Sequence, residues 1–185
     1  MVVVSLQRCW FTPTKAQFKF KKVAVVDVDY HGGNGTASIF YEDPSVLVVS
    51  IHIHPDLDYP FTFGFADQTG AGPGVGSTLN LPLPAETRWG AYAAALDQAV
   101  RAVQSFGAEA LLVSLGFDTY EYDHVQAPAA GFNLRLGDYH GMGAKLASLG
   151  LPTIVLQEGG YEMDVVGDLA LQFMAGITTG SRVVS

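Results

Sequence analysis

Two polar residues whose spacing suits metal binding follow the first strand-like segment of the chain. Asp29 and His31 are two residues apart, so at a strand end their side chains point to the same side. Together they offer a carboxylate oxygen and an imidazole nitrogen, and Asp118, after another strand-like segment, can supply a third ligand. Three protein ligands with an open fourth position are typical of a catalytic zinc site. The spacing alone leaves open that Asp29 and His31 only cap a strand end.

The segments that would position these residues alternate between strand-like and helix-like patterns. Short runs rich in β-branched residues predict strands that are buried on both faces of a parallel sheet. Alternation of such strands with helices predicts an α/β fold, a parallel sheet with flanking helices. The predicted strands are 22–29, 46–52, 110–115 and 152–157, and the predicted helices are 36–41, 87–106, 136–149 and 164–176.

The connections between these elements carry further signals. Residues 55–84 are rich in Gly, Pro and aromatic residues and predict a long structured loop, which in a compact domain is usually functional. Thr87 and Gly107 are the expected N-cap and C-cap of the helix between them. Open parallel sheets place their sites at the carboxyl ends of the strands, so we expect the polar groups at those ends to converge on one cleft. These groups are 27–31, 50–52, 116–118 and 157–161.

The composition limits the classes of function. The chain has 18 Asp and Glu against 10 Lys and Arg, a formal net charge of −8, which argues against nucleic-acid and membrane partners and is compatible with cationic substrates. A generic acidic protein would have the same charge. Cys9 is the only cysteine, so no internal disulfide can form, and a reducing, cytoplasmic location is expected. Neither a signal peptide nor a bilayer-spanning apolar stretch is recognisable.

Several short motifs, in the same order, resemble those of the histone deacetylase and acetylpolyamine amidohydrolase family. Residues 27–36 resemble the family's Asp-x-Asp-x-His-His-Gly-Asn-Gly-Thr motif, with Gly32 where a second His is usual. The resemblance runs from about residue 22 to about residue 176 and implies the arginase/deacetylase fold. The other similar segments are 50–52, 115–119 and 158–161, together with 59–61, 70–74 and 80–84, which resemble the bacterial branch.

The resemblance implies a zinc ion held by Asp29, His31 and Asp118. Zinc would polarise an acetyl carbonyl and activate a bound water, and the products would be acetate and a free amine. Tyr161, on a turn flanked by glycine, would donate a hydrogen bond to the developing oxyanion. A core aromatic with a satisfied hydroxyl is the alternative for Tyr161. The implied substrate is a small acetylated amine or an acetyl-lysine.

The resemblance also implies a structural monovalent cation, potassium, close to the zinc. Its ligands would be the Asp27 side chain, the Asp29 and His31 carbonyls, the Ser50 hydroxyl and the Ile51 carbonyl. A plain hydrogen-bond network between Asp27 and Ser50 is the competing interpretation.

Other residues of the family pattern have weaker signals. Tyr59, Phe61 and Gly159 would line the substrate tunnel, although the two aromatic residues could equally pack inside their loop. A second family cation site would use the carbonyls of Phe40, Asp43 and Val46. We expect His52 to pack and form hydrogen bonds near the site.

One part of the family pattern is not found in this sequence. Family members carry a His-His pair, their general base and acid, before the Asp-x-Asp-x-His motif, and here no histidine precedes His31. Residues 1–21 do not resemble the family and are predicted to be an unrelated leader; residues 22–178 are predicted to be a partial deacetylase domain that lacks the N-terminal strands. A truncated reading frame or a decayed copy would both produce such a chain.

Two functions therefore compete. The first is an impaired zinc-dependent amide hydrolase that takes its base from an unexpected residue or a partner chain. The second is a catalytically weak or inactive metal-binding module, and the missing His pair favours it for this chain alone. An arginase-like two-metal hydrolase would need a second Asp-rich motif, which the sequence lacks. Exposed apolar edge surface would also favour association, so a homo-oligomer is a further expectation.

Overall fold

Five parallel strands form one sheet in a computed structural model that describes residues 20–127 and 130–180. In spatial order the sheet runs β3-β2-β1-β4-β5, so the first strand is central. The predicted α/β architecture is confirmed. The strands are β1 Val23–Asp27, β2 Val46–Ile53, β3 Thr78–Leu83, β4 Ala110–Leu115 and β5 Thr153–Gln157, and the helices are α1 Asn34–Phe40, α2 Trp89–Phe106, α3 Asp138–Ala147 and α4 Val166–Gly180.

The central strand β1 is buried on both faces, which explains its uninterrupted apolar sequence. Ala24 and Val26 pack in the larger core cluster, to which α2, α3 and α4 contribute. Val23 and Val25 point to the opposite face and pack in a smaller cluster with α1. Because each face of β1 is covered, the polar residues that follow it lie beyond its carboxyl end.

The prediction of one long loop over residues 55–84 is wrong in its last part. β3 lies within that range and pairs with β2 along Thr78–Leu83. β3 contains Pro82, which cannot donate to a ladder, but β3 is an edge strand, where proline is tolerated.

The ends of α2 test two predicted caps. The Gly107 C-cap is confirmed, with φ of 73° and its N–H donating to the Gln104 carbonyl. The Thr87 N-cap is wrong, because α2 begins at Trp89 and Arg88 occupies the cap position without a side-chain bond. The Thr87 hydroxyl instead donates to the Pro84 carbonyl. In the described ranges, no helix is long and apolar enough to cross a membrane.

The outer edge of β5 has no neighbouring strand within residues 20–127 and 130–180. Its three apolar residues, Ile154, Val155 and Leu156, are only partly buried, in contrast to the fully buried β4 beside it. Unpaired strand edges are surfaces on which further strands can pair.

Candidate metal centre

The carboxyl ends of three adjacent strands bring the predicted metal ligands together. β1 pairs in parallel with β4, and β4 pairs with β5, so their ends lie at one edge of the sheet. Asp29 and His31 follow β1, Asp118 follows β4, and Gly159 follows β5. The predicted convergence on one cleft is confirmed for these residues.

The three predicted zinc ligands have the geometry of a metal site. One ligand atom from each of Asp29, His31 and Asp118 lies within 4.8 Å of the others. His31 Nδ1 is 3.6 Å from Asp29 Oδ1 and 3.7 Å from Asp118 Oδ2. Atoms that bind zinc tetrahedrally with bonds of about 2.1 Å lie about 3.4 Å apart, so small shifts would complete the site. The donor set and its spacing fit a divalent ion such as zinc.

Backbone N–H groups fix both carboxylates. Asp118 Oδ1 accepts the Tyr30 N–H at 3.0 Å, and Asp29 Oδ1 accepts the His31 N–H at 2.9 Å. Asp29 Oδ2 accepts the Gly159 N–H at 3.1 Å, which links the ends of β1 and β5. The turn after β1 thus positions the candidate ligands of both β1 and β4, and the turn after β5 adds a second bond to Asp29.

Two glycines leave the space in which the carboxylates sit. A Cβ at Gly159 would overlap an Asp118 carboxylate oxygen, and a Cβ at Gly116 would overlap oxygens of both Asp29 and Asp118. Gly159 was predicted to line the substrate tunnel. It contacts the candidate ligands directly and also lines the adjoining cavity.

The carboxylates at these strand ends are close together and largely buried, which disfavours their charged forms. Burial, reinforced by the charge of Asp29, raises the pKa of Asp118 to about 7 and that of Glu158 to about 7. The same two causes raise the pKa of Asp27 well above its usual range. Burial opposes a charged His31, yet bonds to Asp118 and Asp29 raise its pKa to about 10. A divalent cation would neutralise this cluster, so the electrostatics also fit a metal.

The residues predicted to bind a monovalent cation are buried at the ends of β1 and β2. Asp27 Oδ1 accepts the Asp29 N–H at 3.1 Å. The Ser50 hydroxyl accepts the Gly33 N–H at 3.1 Å and lies 2.8 Å from His52 Nδ1. Within the described residues, Ser50 therefore bonds to Gly33 and His52 rather than to Asp27. The potassium site stays a prediction, with the Asp29, His31 and Ile51 carbonyls as its remaining ligands.

Tyr161 borders the same cleft. A cavity of about 290 Å³ opens beside the metal ligands, and Tyr161 is in its wall. Burial and the charges of Asp118 and Asp29 raise the pKa of Tyr161. Its side chain is 48% exposed, so the alternative of a core aromatic is wrong. The residues that line the cavity are Asp27, Asp29, His31, Gly32, Gly33, Asn34, Thr36, Glu158, Gly159 and Tyr161.

The two aromatic residues predicted for the tunnel lie outside the loop core. Tyr59 is 51% exposed and Phe61 is 58% exposed. The Tyr59 hydroxyl accepts a hydrogen bond from Asn34 Nδ2 at 2.9 Å, and its ring centroid is 6.0 Å from that of His31. Tyr59 is thus beside the candidate ligand, whereas the structure gives Phe61 no such contact with it.

Two acidic residues of the site were not identified from the sequence. Asp123 is buried, and its Oδ2 accepts the N–H groups of Tyr161 and Glu162 at 2.7 and 3.2 Å. Asp58 Oδ2 is 3.9 Å from His31 Nε2 and accepts the Ala127 N–H at 3.1 Å. Both lie in irregular segments, where neither periodicity nor strand-end position indicates a partner.

Comparison with known proteins gives consistent matches. The family described as "Histone deacetylase domain" matches residues 7–177, so the match begins inside the segment 1–21 that was predicted from the sequence to be an unrelated leader. Acetylpolyamine amidohydrolase 2 of Pseudomonas aeruginosa is 43% identical over 155 residues, which cover 84% of this chain and 44% of that protein. Acetylpolyamine amidohydrolase of Mycoplana ramosa is 40% identical over 157 residues, with 85% and 45% covered.

A solved structure shares the fold. The crystal structure of acetylpolyamine aminohydrolase from Burkholderia pseudomallei superposes with a TM-score of 0.83 and 36% identity, over 89% of this chain and 47% of that one. The chain thus spans about half the length of these relatives.

Proposed function

This chain belongs to the histone deacetylase family, with the arginase/deacetylase fold, and we propose that Asp29, His31 and Asp118 bind zinc for hydrolysis of an acetylated amine. The observation that carries the proposal is the cluster of three ligand atoms within 4.8 Å, built from strand ends that are distant in sequence. The names of the relatives support an acetylpolyamine or acetyl-lysine type of substrate. The net charge of −8 suits such cationic amines.

Zinc, when bound, supplies Lewis-acid polarisation of the acyl oxygen and a more acidic water. The protein's own part is to hold and orient. Asp29 and Asp118 are held by backbone N–H groups, so only small shifts would bring their oxygens to a bound ion. Tyr161 would donate a hydrogen bond to the oxyanion; its position in the wall of the cavity and the bond from its N–H to Asp123 support this role.

We propose that turnover by this chain alone is slow. Hydrolysis must deliver a proton to the departing amine, and a positioned acid or base contributes about 100- to 10000-fold to such reactions. His31 is the only histidine in the wall of the described cavity, and it is a candidate ligand. A metal-binding module with weak or no catalysis is therefore the second candidate function.

Zinc stoichiometry and deacetylation together test the proposal. Purified protein should bind one zinc per chain, and Asp118→Ala should lose it, whereas Asp67→Ala, a matched change at an exposed loop residue, should keep it. Asp118→Ala protein that retained a full equivalent would overturn the ligand assignment. Zinc-loaded protein should cleave an acetylated diamine at least about 100-fold more slowly than a full-length relative. Turnover near that of the relative would show that a base exists elsewhere.

A further inference from the structure

His52 is fully buried in β2 and bonds through both ring nitrogens. Its Nε2 is 3.0 Å from the carbonyl oxygen of Gly64, and its Nδ1 is 2.8 Å from the Ser50 hydroxyl. A carbonyl oxygen can only accept, so Nε2 carries the proton of the neutral ring. The ring is fully buried and bonds to a carbonyl and a hydroxyl rather than to a carboxylate, so the neutral form is favoured. Nδ1 is therefore the acceptor, and the Ser50 hydroxyl is the donor.

This arrangement fixes the direction of the Ser50 hydroxyl. Because its proton points to His52, its lone pairs are left for other partners, and one of them accepts the Gly33 N–H at 3.1 Å. Gly33 is two residues after His31, on the turn that carries a candidate zinc ligand. His52 thus acts on this turn through one intermediate group.

The other nitrogen acts on a different segment, residues 57–68, which we call the rim loop. Gly64 has φ of 103°, and a Cβ there would overlap His52 Nε2, so the loop backbone lies directly against the ring. The ring also lies close to Gly32, where a Cβ would be 3.4 Å from His52 Cδ2. The imidazole therefore contacts both the rim loop and the turn after His31. The rim loop carries Tyr59, whose ring lies beside His31.

We propose that His52 is a positioning residue that joins the rim loop to the metal-binding turn. Its Nε2 holds the Gly64 carbonyl, and its Nδ1 holds the Ser50 hydroxyl in the orientation that receives the Gly33 N–H. The rim loop and the metal-binding turn therefore keep a fixed relative position before a metal ion or substrate binds. For catalysis this inference rests on the proposed function, whereas the mechanical connection does not.

Three substitutions separate the two bonds. A glutamine amide reaches the position of Nε2, and an asparagine amide reaches that of Nδ1. His52→Gln should thus keep the Gly64 bond, His52→Asn should keep the Ser50 bond, and His52→Phe should keep only the ring. Hydrogen–deuterium exchange of the metal-free protein, resolved into the rim loop and residues 32–36, measures each connection.

Loss of one buried bond should speed local exchange by about five- to tenfold. Rim-loop exchange should rise in His52→Asn and His52→Phe but stay near wild type in His52→Gln. Exchange in residues 32–36 should rise in His52→Gln and His52→Phe but not in His52→Asn. His140→Asn on α3, whose ring bonds only to Thr179 Oγ1 at 3.3 Å within the described residues, should change neither segment.

Equal exchange in the Gln and Asn variants, in either segment, would overturn the proposal. If His52 only filled space, the two variants would not have opposite effects on the two segments. If His52→Phe fails to fold, the Gln and Asn pair still decides. Every measurement is made without metal, so its result is independent of the zinc test on Asp118→Ala. Failure of one proposal can therefore be told from failure of the other.

Discussion

At the scale of single residues, protonation of the acidic groups at the candidate site affects the folding stability of the protein. Asp118 and Glu158 have pKa values near 7, above their ordinary range, so between about pH 4 and 7 the folded protein binds more protons than the unfolded chain. Their stabilisation is complete at the acidic end of that window and is lost as the pH rises through about 7. His31, with a pKa of about 10, extends the loss to higher pH.

Metal-free protein should accordingly melt at a lower temperature at pH 8 than at pH 5.5. A difference of roughly 5 °C or more is expected, since each kcal/mol moves the midpoint of a chain of this size by about 2–4 °C. Saturating zinc should reduce this change of melting temperature with pH, because the ion would neutralise the carboxylates in place of protons. Calorimetry at both pH values checks this; a metal-free midpoint that rises with pH would contradict the charge-crowding account.

The hydroxyl of Tyr161 provides a second prediction at this scale. Removal of one oxyanion donor typically costs about 100- to 1000-fold in rate, so Tyr161→Phe should lower turnover by that factor at unchanged zinc content. Tyr122→Phe, at a nearby residue that is 68% exposed, serves as the control. Steady-state deacetylation with metal analysis measures both; equal rates for the two variants would remove Tyr161 from the proposed mechanism.

At the scale of elements, the turn after β5 packs directly against the candidate ligands. Gly159→Ala would force a methyl group into the Asp118 carboxylate, so zinc affinity should fall at least about tenfold while the fold is kept. Gly167→Ala, in α4 with open space around its Cβ position, is the matched control. Competition with a chelator measures the zinc affinity of both variants. An unchanged zinc affinity of the Gly159→Ala protein would show that the backbone of the turn moves to make room for the methyl group.

The same scale separates what the sequence could predict from what it could not. β1 and the ligands after it were predictable, because an apolar run and a two-residue spacing are local signals. β3 was missed because its edge position, which is what tolerates Pro82, depends on tertiary structure. Asp123 was missed for a related reason, since its partners are backbone N–H groups 38 and 39 residues away. The role of His52 likewise follows from a loop contact that no pattern encodes.

At the scale of the whole molecule, the edge of β5, which has no neighbouring strand in the described part of the chain, favours association. Thr153 is exposed at the start of this strand, and a charge there should discourage strand pairing. We expect the protein to associate with rising concentration, and Thr153→Lys to associate less than Gln98→Lys, a control on the exposed surface of α2. Sedimentation velocity over a concentration series measures this. Identical behaviour of the two variants would locate the contact elsewhere.

The ligand set has a further consequence for the lifetime of the fold. Asp29 and Asp118 lie 89 residues apart, so an ion held by both closes a long loop of the chain, as a cross-link would. In the chain-entropy account, a covalent cross-link over about 100 residues stabilises by nearly 5 kcal/mol, largely by restricting the unfolded ensemble. Zinc would thus act as a reversible cross-link between the segments that follow β1 and β4. A chelator should therefore speed the proteolysis of the zinc-loaded protein, an effect that is measured without an activity assay.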